Sequence, residues 1–189
     1  WNLDENRHCA CGLTVYDCQF WTQVKRDWSA MTGSEYAERY MYLQPKYERT
    51  RSAWGRLIRN RIIREPEFAE YLHGTGAMYR AIHQTGGKEY LVDSSLTPKR
   101  AYAQTMNTKI DFYLIHLVRD GRGVIWSLKK PNKKIPAKVY IPAPAERTTK
   151  YWISANLQSS FVFRSIDEKK RILIRYEDFA TNPSTVLNQ

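Results

Sequence analysis

The chain has 189 residues, of which 42% are hydrophobic and 26% are charged, as is typical of one globular domain with a core of its own. Thirty Lys and Arg against nineteen Asp and Glu give a formal net charge of +11, which favours polyanionic partners, although a solubilising surface explains it equally well. No apolar run approaches the ~20 residues of a membrane-spanning helix, and the charged segment Asp4 to His8 argues against a signal peptide.

The ends of the chain are unusual. It starts with Trp1 instead of Met and stops at Gln189, directly after the predicted opening of a helix. We therefore expect a chain that is incomplete at the N-terminus and at the C-terminus.

Three cysteines lie close together near the start. Cys9, Cys11 and Cys18 are odd in number, which argues against a disulfide framework and favours a reducing compartment. With His8 they offer four soft ligands to zinc, but the usual spacing of two residues between cysteines is absent. We expect thiols without a metal.

Helical spacing of apolar residues marks the first half of the chain. The sequence predicts helices around Phe20 to Trp28, from Ser34 to a break at Pro45, around Trp54 to Ile62, and from Pro66 to a stop at Gly86-Gly87. A helix and a connection are expected between Arg100 and Thr108.

Three apolar runs predict strands: Glu89 to Asp93, Phe112 to Val118 and Arg171 to Tyr176. Helices are predicted at Val124 to Lys129 and Tyr151 to Ile166, with an exposed basic loop at Lys129 to Pro144. Strands that alternate with helices predict an α/β domain around a parallel sheet flanked by helices.

Polar clusters follow each predicted strand. They are Asp93 to Ser95, Arg119 to Arg122 and Tyr176 to Asp178. Because ligands of parallel sheets bind beyond the carboxyl ends of the strands, we expect these three segments on one rim of the sheet.

The middle cluster has the form of a phosphate site. Arg119 ends a strand and offers a planar fork of donors, while Gly121 and Gly123 allow a phosphate to approach the backbone at a helix N-terminus. Ser127, eight residues after Arg119, can face the same anion. A plain strand–helix junction with Arg119 paired to an acid such as Asp120 is the alternative.

The segment Leu117 to Val124 with Ser127 resembles the 3′-phosphate-binding motif of the sulfotransferases that use PAPS (3′-phosphoadenosine 5′-phosphosulfate). The likeness to the bacterial-type members covers nearly all of residues 1–189, with residues 1–28 as a cysteine-containing loop and helix inside a single partial domain. Its other landmarks are the cysteine loop ending in Phe20-Trp21, Val92 to Ser95, Trp152 with Asn156, and Arg175 to Phe179 followed by Asn182-Pro183.

The resemblance implies a P-loop-like sulfotransferase fold and a direct transfer. The sulfuryl group passes from PAPS to a hydroxyl or amine, leaving adenosine 3′,5′-bisphosphate, with no metal required. Arg119 and Ser127 are then the 3′-phosphate ligands, and Tyr176 is a further donor contact. Arg122 is either a second phosphate ligand or a salt-bridge partner.

The chain departs from the family pattern in two places. The family's loop of the R-S-G-T-T kind, which holds the 5′-phosphosulfate, is absent, and we expect it upstream of Trp1. Leu96 replaces a Lys that can steady the sulfuryl group, so Lys99 is a candidate substitute. Asp93 is a candidate base, although capping of the next turn explains it equally well, and His116 is expected in the core.

Two other functions stay open. A P-loop kinase or hydrolase should show G-x-x-x-x-G-K-[ST], which this chain lacks, and a noncatalytic nucleic-acid module would use the lysines from Lys129 to Lys138. For the sulfotransferase we expect a small-molecule or saccharide acceptor, including acidic ones, and no nucleic acid. We expect a cytoplasmic location, with the Golgi lumen as the alternative.

Overall fold

The computed structural model describes residues 8–95, 97–129 and 144–188. The chain divides into two compact units, with the boundary between Asp111 and Phe112. Each unit is described by itself. The single domain predicted over the whole chain stays a prediction.

The first unit is helical. Its helices are α1 (Gln19–Thr32), α2 (Tyr36–Glu48), α3 (Ala53–Asn60), α4 (Pro66–Gly86) and α5 (Pro98–Gln104). α4 packs against α1 and α2. It starts with a proline, which is favourable there because a backbone N–H in the first turn would have no intrahelical partner. Its C-cap residue is Gly87, whose left-handed φ of 57° favours glycine. Pro45, expected to end or kink α2, lies inside it.

Aromatic side chains dominate the core of the first unit. The buried rings pack edge-to-face, tilted or stacked, with centroids 5.1 to 6.1 Å apart; they belong to Trp28, Tyr40, Tyr47, Phe68 and Tyr71. Such pairs add to the free energy that burial of their apolar area supplies. The core of this unit therefore lies where α4 meets α1 and α2.

Polar groups of aromatic residues join α4 to α1 and α2. The bonds are Trp28 Nε1 to the carbonyl oxygen of Gly74 (2.9 Å), Tyr36 Oη to that of Glu70 (2.5 Å), Tyr40 Oη with Thr75 Oγ1 (2.8 Å) and Tyr71 Oη to Glu48 Oε1 (2.7 Å). These four groups thus avoid the cost of a buried unpaired donor, whereas the buried hydroxyl of Tyr47 has no hydrogen-bond partner among the described residues.

The strand predicted at Glu89 to Asp93 is wrong. This segment contains no strand residue, and the side chains of Tyr90 and Val92 are 75% and 82% exposed. An apolar run forms a buried strand only where a neighbouring strand and a covering layer exist. The described part of the first unit offers no such strand.

The second unit contains the sheet. Its elements are β1 (Leu114–Val118), α6 (Gly121–Lys129), α7 (Ala145–Arg164), a 3₁₀ turn (Glu168–Lys170), β2 (Arg171–Arg175), α8 (Tyr176–Thr181) and α9 (Pro183–Leu187). The strands are parallel, with Leu114 opposite Arg171 and Val118 opposite Arg175. The described residues thus form a mostly helical α/β protein with a small two-stranded parallel sheet.

Two of the three predicted strands are therefore confirmed. α6 begins at Gly121 instead of Val124, and α7 begins at Ala145 instead of Tyr151. The basic loop predicted between Lys129 and Pro144 falls, apart from these two end residues, outside the described residues, as does Leu96. Within the described residues, no helix combines the length and the apolar character that crossing a membrane requires.

His116 is buried in β1, as the sequence predicts, 6.0 Å from the ring of Phe163. Burial lowers the pKa of His116, and a hydrogen bond with Asn156 opposes that shift only in part. The unfolded chain therefore binds a proton here at a pH where the folded chain does not. The contribution of the neutral ring to the free energy of unfolding is fully present above about pH 6.5, the pKa in the unfolded chain. It is lost as the pH falls from that value toward the pKa of His116 in the folded chain.

We expect His116→Gln to remove this part of the pH dependence. The measurement is urea unfolding of parent and variant at about pH 7.5 and pH 5.5, spanning the ordinary His pKa. The parent should lose more stability between the two values than the variant does. Equal losses would show that His116 is as easily protonated in the fold as in the unfolded chain.

Candidate functional site

The candidate site lies where β1 ends and α6 begins. Because Val118 pairs with Arg175 in a parallel register, the residues that follow them, Arg119 and Tyr176, emerge at the same edge of the sheet. The Arg119 guanidinium carbon lies 4.7 Å from the centroid of the Tyr176 ring, within the range of a cation–π contact. Two of the three predicted polar clusters are thus brought together.

Gly123 lies beside the same guanidinium. A Cβ at this position would be 3.5 Å from Arg119 Nε, an ordinary van der Waals distance, so the arginine fork lies against the first turn of α6. Ser127 follows Gly123 by four residues, on the same face and about 6 Å further along the axis. The exposed Ser127 and Arg119 therefore border one strip of helix surface.

Carboxylates hold the turn itself. Asp120 Oδ1 accepts from the backbone N–H of Arg122 (2.8 Å), and Asp120 N–H donates to Glu177 Oε1 (3.0 Å). The hydrogen bonds from the Arg122 side chain and backbone lower the pKa of Asp120 to about 2. The Asp120 N–H likewise lowers the pKa of Glu177. Both groups are therefore ionised at neutral pH.

Arg122 forms an ion pair with Asp120, with 2.7 Å between Nη2 and Oδ2. Its side chain is 92% exposed, so this pair contributes little to stability. Arg119 differs from Arg122, because among the residues of the described ranges it has no carboxylate partner. The sequence predicted Arg122 as a second phosphate ligand or as a salt-bridge partner, and the structure shows the salt bridge.

Trp152 fixes the backbone of the turn. Its Nε1 donates to the carbonyl oxygen of Arg119 (3.0 Å), and its ring lies 3.3 Å from where a Cβ on Gly121 would be. Only glycine allows so close an approach without displacing the indole. The sequence marked Trp152 as a landmark but gave no sign of this contact, since 33 residues separate the bonded groups.

Asp93 and Lys99 belong to the first unit. Asp93 accepts hydrogen bonds from the hydroxyl of Tyr79 and from the backbone N–H of Ser95 (2.9 Å), and it lies 3.3 Å from Arg100 Nη1. Burial alone would raise the pKa of Asp93, but Tyr79 and Arg100 lower it below its ordinary value. The hydrogen bond from the Ser95 N–H to Asp93 caps the turn, which is the role that the sequence offered as the alternative to a catalytic base.

Lys99 Nζ donates to the carbonyl oxygen of Thr50 (3.0 Å). Lys99 and Asp93 lie in the unit that precedes Asp111, whereas Arg119, Arg122, Ser127 and Tyr176 lie in the other. Within the second unit the predicted rim contains two of the three clusters, and the strand predicted to precede Asp93 in the first unit does not form.

The cysteine loop brings three thiols together. The Sγ atoms of Cys9, Cys11 and Cys18 lie within 4.8 Å of one another, and those of Cys11 and Cys18 are 3.6 Å apart. The backbone N–H of Cys11 lowers the pKa of Cys9. The backbone N–H of Leu13 lowers the pKa of Cys11, but the neighbouring thiols outweigh it and raise that pKa. Among the described residues this is a group suited to a soft metal ion.

Comparison of the chain with protein-family models, with curated proteins and with solved structures finds no match. The geometry of the residues and the resemblance of their motifs are therefore what a function has to be argued from.

Proposed function

We propose that the protein is a PAPS-dependent sulfotransferase and that the junction of β1 and α6 binds the 3′-phosphate of PAPS. The observation that carries the proposal is the placement of Arg119. Its guanidinium lies on the Tyr176 ring and against the first turn of α6, with Ser127 one turn further along the same face. This arrangement supports the roles that the motif resemblance assigns to these residues.

The charges of the junction favour Arg119 as the phosphate ligand. Arg122 is engaged by Asp120, and Arg175 lies 3.9 Å from Asp178, whereas Arg119 contacts an aromatic ring. A guanidinium that is orientated by stacking keeps its donor edge free for a planar, bidentate contact to phosphate oxygens. The Ser127 hydroxyl can donate a further bond to the same group.

The proposed reaction is an in-line transfer. The acceptor's hydroxyl oxygen or amine nitrogen attacks the sulfur, the bond from sulfur to the 5′-phosphate oxygen breaks, and adenosine 3′,5′-bisphosphate leaves with that electron pair. A base takes the acceptor's proton. As in phosphoryl transfer, positioning and stabilisation of developing charge supply most of the rate enhancement.

Asp93 and Lys99 stay candidates for the reacting centre. The low pKa of Asp93 and its bonds to Tyr79 and Arg100 favour a capping role over that of a base. The proposal includes a small-molecule or saccharide acceptor. It also includes a cytoplasmic location, which rests on the bacterial-type motifs alone.

The test is calorimetric titration of adenosine 3′,5′-bisphosphate into the full-length protein. Adenosine 5′-monophosphate, which lacks the 3′-phosphate, should bind at least about tenfold more weakly, and Arg119→Ala should weaken bisphosphate binding by about 10- to 100-fold, as expected for a lost charged hydrogen bond. Lys150→Ala is the matched control. It removes one exposed positive charge from the same unit and should leave binding as in the parent.

Equal affinity for the two nucleotides in a folded protein would overturn the proposal. If a single-stranded oligonucleotide then bound with an affinity that fell steeply with salt, the basic nucleic-acid module would take its place.

A further inference from the structure

We propose that Cys9, Cys11 and Cys18 form a Zn²⁺ site in which three thiolates and one solvent molecule coordinate the ion. This inference is independent of the sulfotransferase proposal, and it departs from the expectation of thiols without a metal. It rests on the spacing of the three sulfur atoms, on the backbone that holds them and on the burial of their side chains.

The sulfur spacing suits coordination. Tetrahedral zinc with Zn–S bonds of about 2.3 Å places two sulfur ligands about 3.8 Å apart. Cys11 Sγ and Cys18 Sγ are 3.6 Å apart, and Cys9 Sγ lies within 4.8 Å of both. A disulfide needs about 2.05 Å between its sulfurs. An ion can therefore be held by small rotations of side chains that already converge.

The backbone of the loop presents the thiols without the common zinc-knuckle spacing. The N–H of Cys9 donates to the carbonyl oxygen of Leu13 (2.8 Å), and the N–H of Gly12 donates to that of Cys9 (2.9 Å). Gly12 has a φ of 89°, which glycine adopts without strain, and a bridge between His8 and Thr14 closes the loop. This tight turn brings Cys9 and Cys11 together although one residue separates them.

Cys18 reaches the other two from the start of α1. It is the N-cap residue of that helix, and its N–H donates to the carbonyl oxygen of Thr14 (3.0 Å). The side chain is buried, whereas that of Cys11 is exposed, so the site has a closed side and an open side.

The loop continues directly into α1 through Cys18. An ion bound by all three thiolates would therefore fasten Cys9 and Cys11 to the start of that helix.

His8 is not part of the site. Among the described residues, the group of ligand atoms within 4.8 Å of one another contains the three thiols alone, and His8 Nδ1 lies 3.3 Å from the carbonyl oxygen of Gly12. The fourth position is therefore assigned to solvent on the open side, next to Cys11.

The test is titration of the reduced, metal-free full-length protein with Co²⁺ and then with Zn²⁺. We expect one Co²⁺ per chain, a thiolate-to-cobalt charge-transfer band with tetrahedral visible absorption, and complete displacement by one equivalent of Zn²⁺. Cys11→Ser should keep the fold, because Cys11 is exposed. It should weaken Zn²⁺ binding by at least about tenfold, a loss that even outer contacts of a metal site can produce.

His8→Ala is the matched control, since it removes a neighbouring soft ligand that the assignment leaves out. It should bind Co²⁺ and Zn²⁺ as the parent does. A folded, reduced parent that binds less than one ion per chain would overturn the proposal. So would a Cys11→Ser variant with parental affinity, or a His8→Ala variant that loses as much affinity as Cys11→Ser.

Discussion

Replacing Arg100 by methionine is expected to destabilise the first unit by about 3 to 5 kcal/mol, the cost of leaving one member of a buried ion pair alone. Arg100 Nε lies 2.9 Å from Glu48 Oε1, and the two side chains are 12% and 4% exposed. Burial lowers the pKa of Arg100, but the charge of Glu48 raises it above its ordinary value. In the variant the Glu48 carboxylate keeps a bond from Tyr71 but loses its counter-charge.

Two further variants separate the ion pair from packing. Glu48→Gln combined with Arg100→Met removes both charges of the Glu48–Arg100 pair and keeps an acceptor for Tyr71, so the double variant should be more stable than Arg100→Met alone. Asp93 loses its contact with Arg100 in both variants, so this contact does not affect the comparison. Arg59→Ala breaks an exposed pair with Glu65 in the same unit and should change stability by less than about 1 kcal/mol.

The measurement is urea unfolding of the full chain combined with hydrogen exchange of peptides from α2, α4 and α5. The exchange data assign the loss to the first unit. If Arg100→Met costs no more than Arg59→Ala does, the buried pair does not hold these helices together.

Gly74→Ala is expected to destabilise the protein by about 1 to 3 kcal/mol, although alanine is the better helix former by about 1 kcal/mol. A methyl group at Gly74 would lie 2.8 Å from Cζ of Tyr36, with Cε1 and the hydroxyl oxygen of the same side chain closer still. The ring has to move, and it then loses its bond to the carbonyl oxygen of Glu70 and its edge-to-face contact with Trp28.

Gly55→Ala in α3 is the matched control. No atom lies within 4 Å of the position that its Cβ would take, so the helix gains propensity without a clash. Thermal unfolding should show Gly55→Ala at or above the parent and Gly74→Ala well below it. A Gly74→Ala variant as stable as Gly55→Ala would show that the Tyr36 side chain can adopt another conformation of similar free energy.

Local signals in the sequence predicted the helices well. Pro66 and Gly87 mark the ends of α4, and the apolar spacing around Trp28 marks α1, because these signals act within a few residues. The strand predicted from the apolar run at Tyr90 to Val92 was wrong, since burial of a strand depends on a neighbouring strand that the local sequence cannot reveal.

The candidate sites show the same difference between features that the local sequence determines and features that depend on the fold. The pairing of Arg119 with Tyr176 followed from two strand ends, because a parallel register places such ends side by side. Two other features could not be predicted from the sequence. The contact of Trp152 with the turn joins residues that are far apart in the chain. The convergence of the three thiols depends on the positive φ of Gly12, which rules based on cysteine spacing do not include.

The bonds that join α4 to α1 and α2 are directional, and they start from Trp28, Tyr36, Tyr40 and Tyr71. Dispersion contacts between helices tolerate a small slide, but a shift of one helical turn would break all of these bonds at once and leave buried donors unpaired. These bonds therefore fix the alignment of α4 with α1 and α2 and oppose shear of α4 along either neighbour.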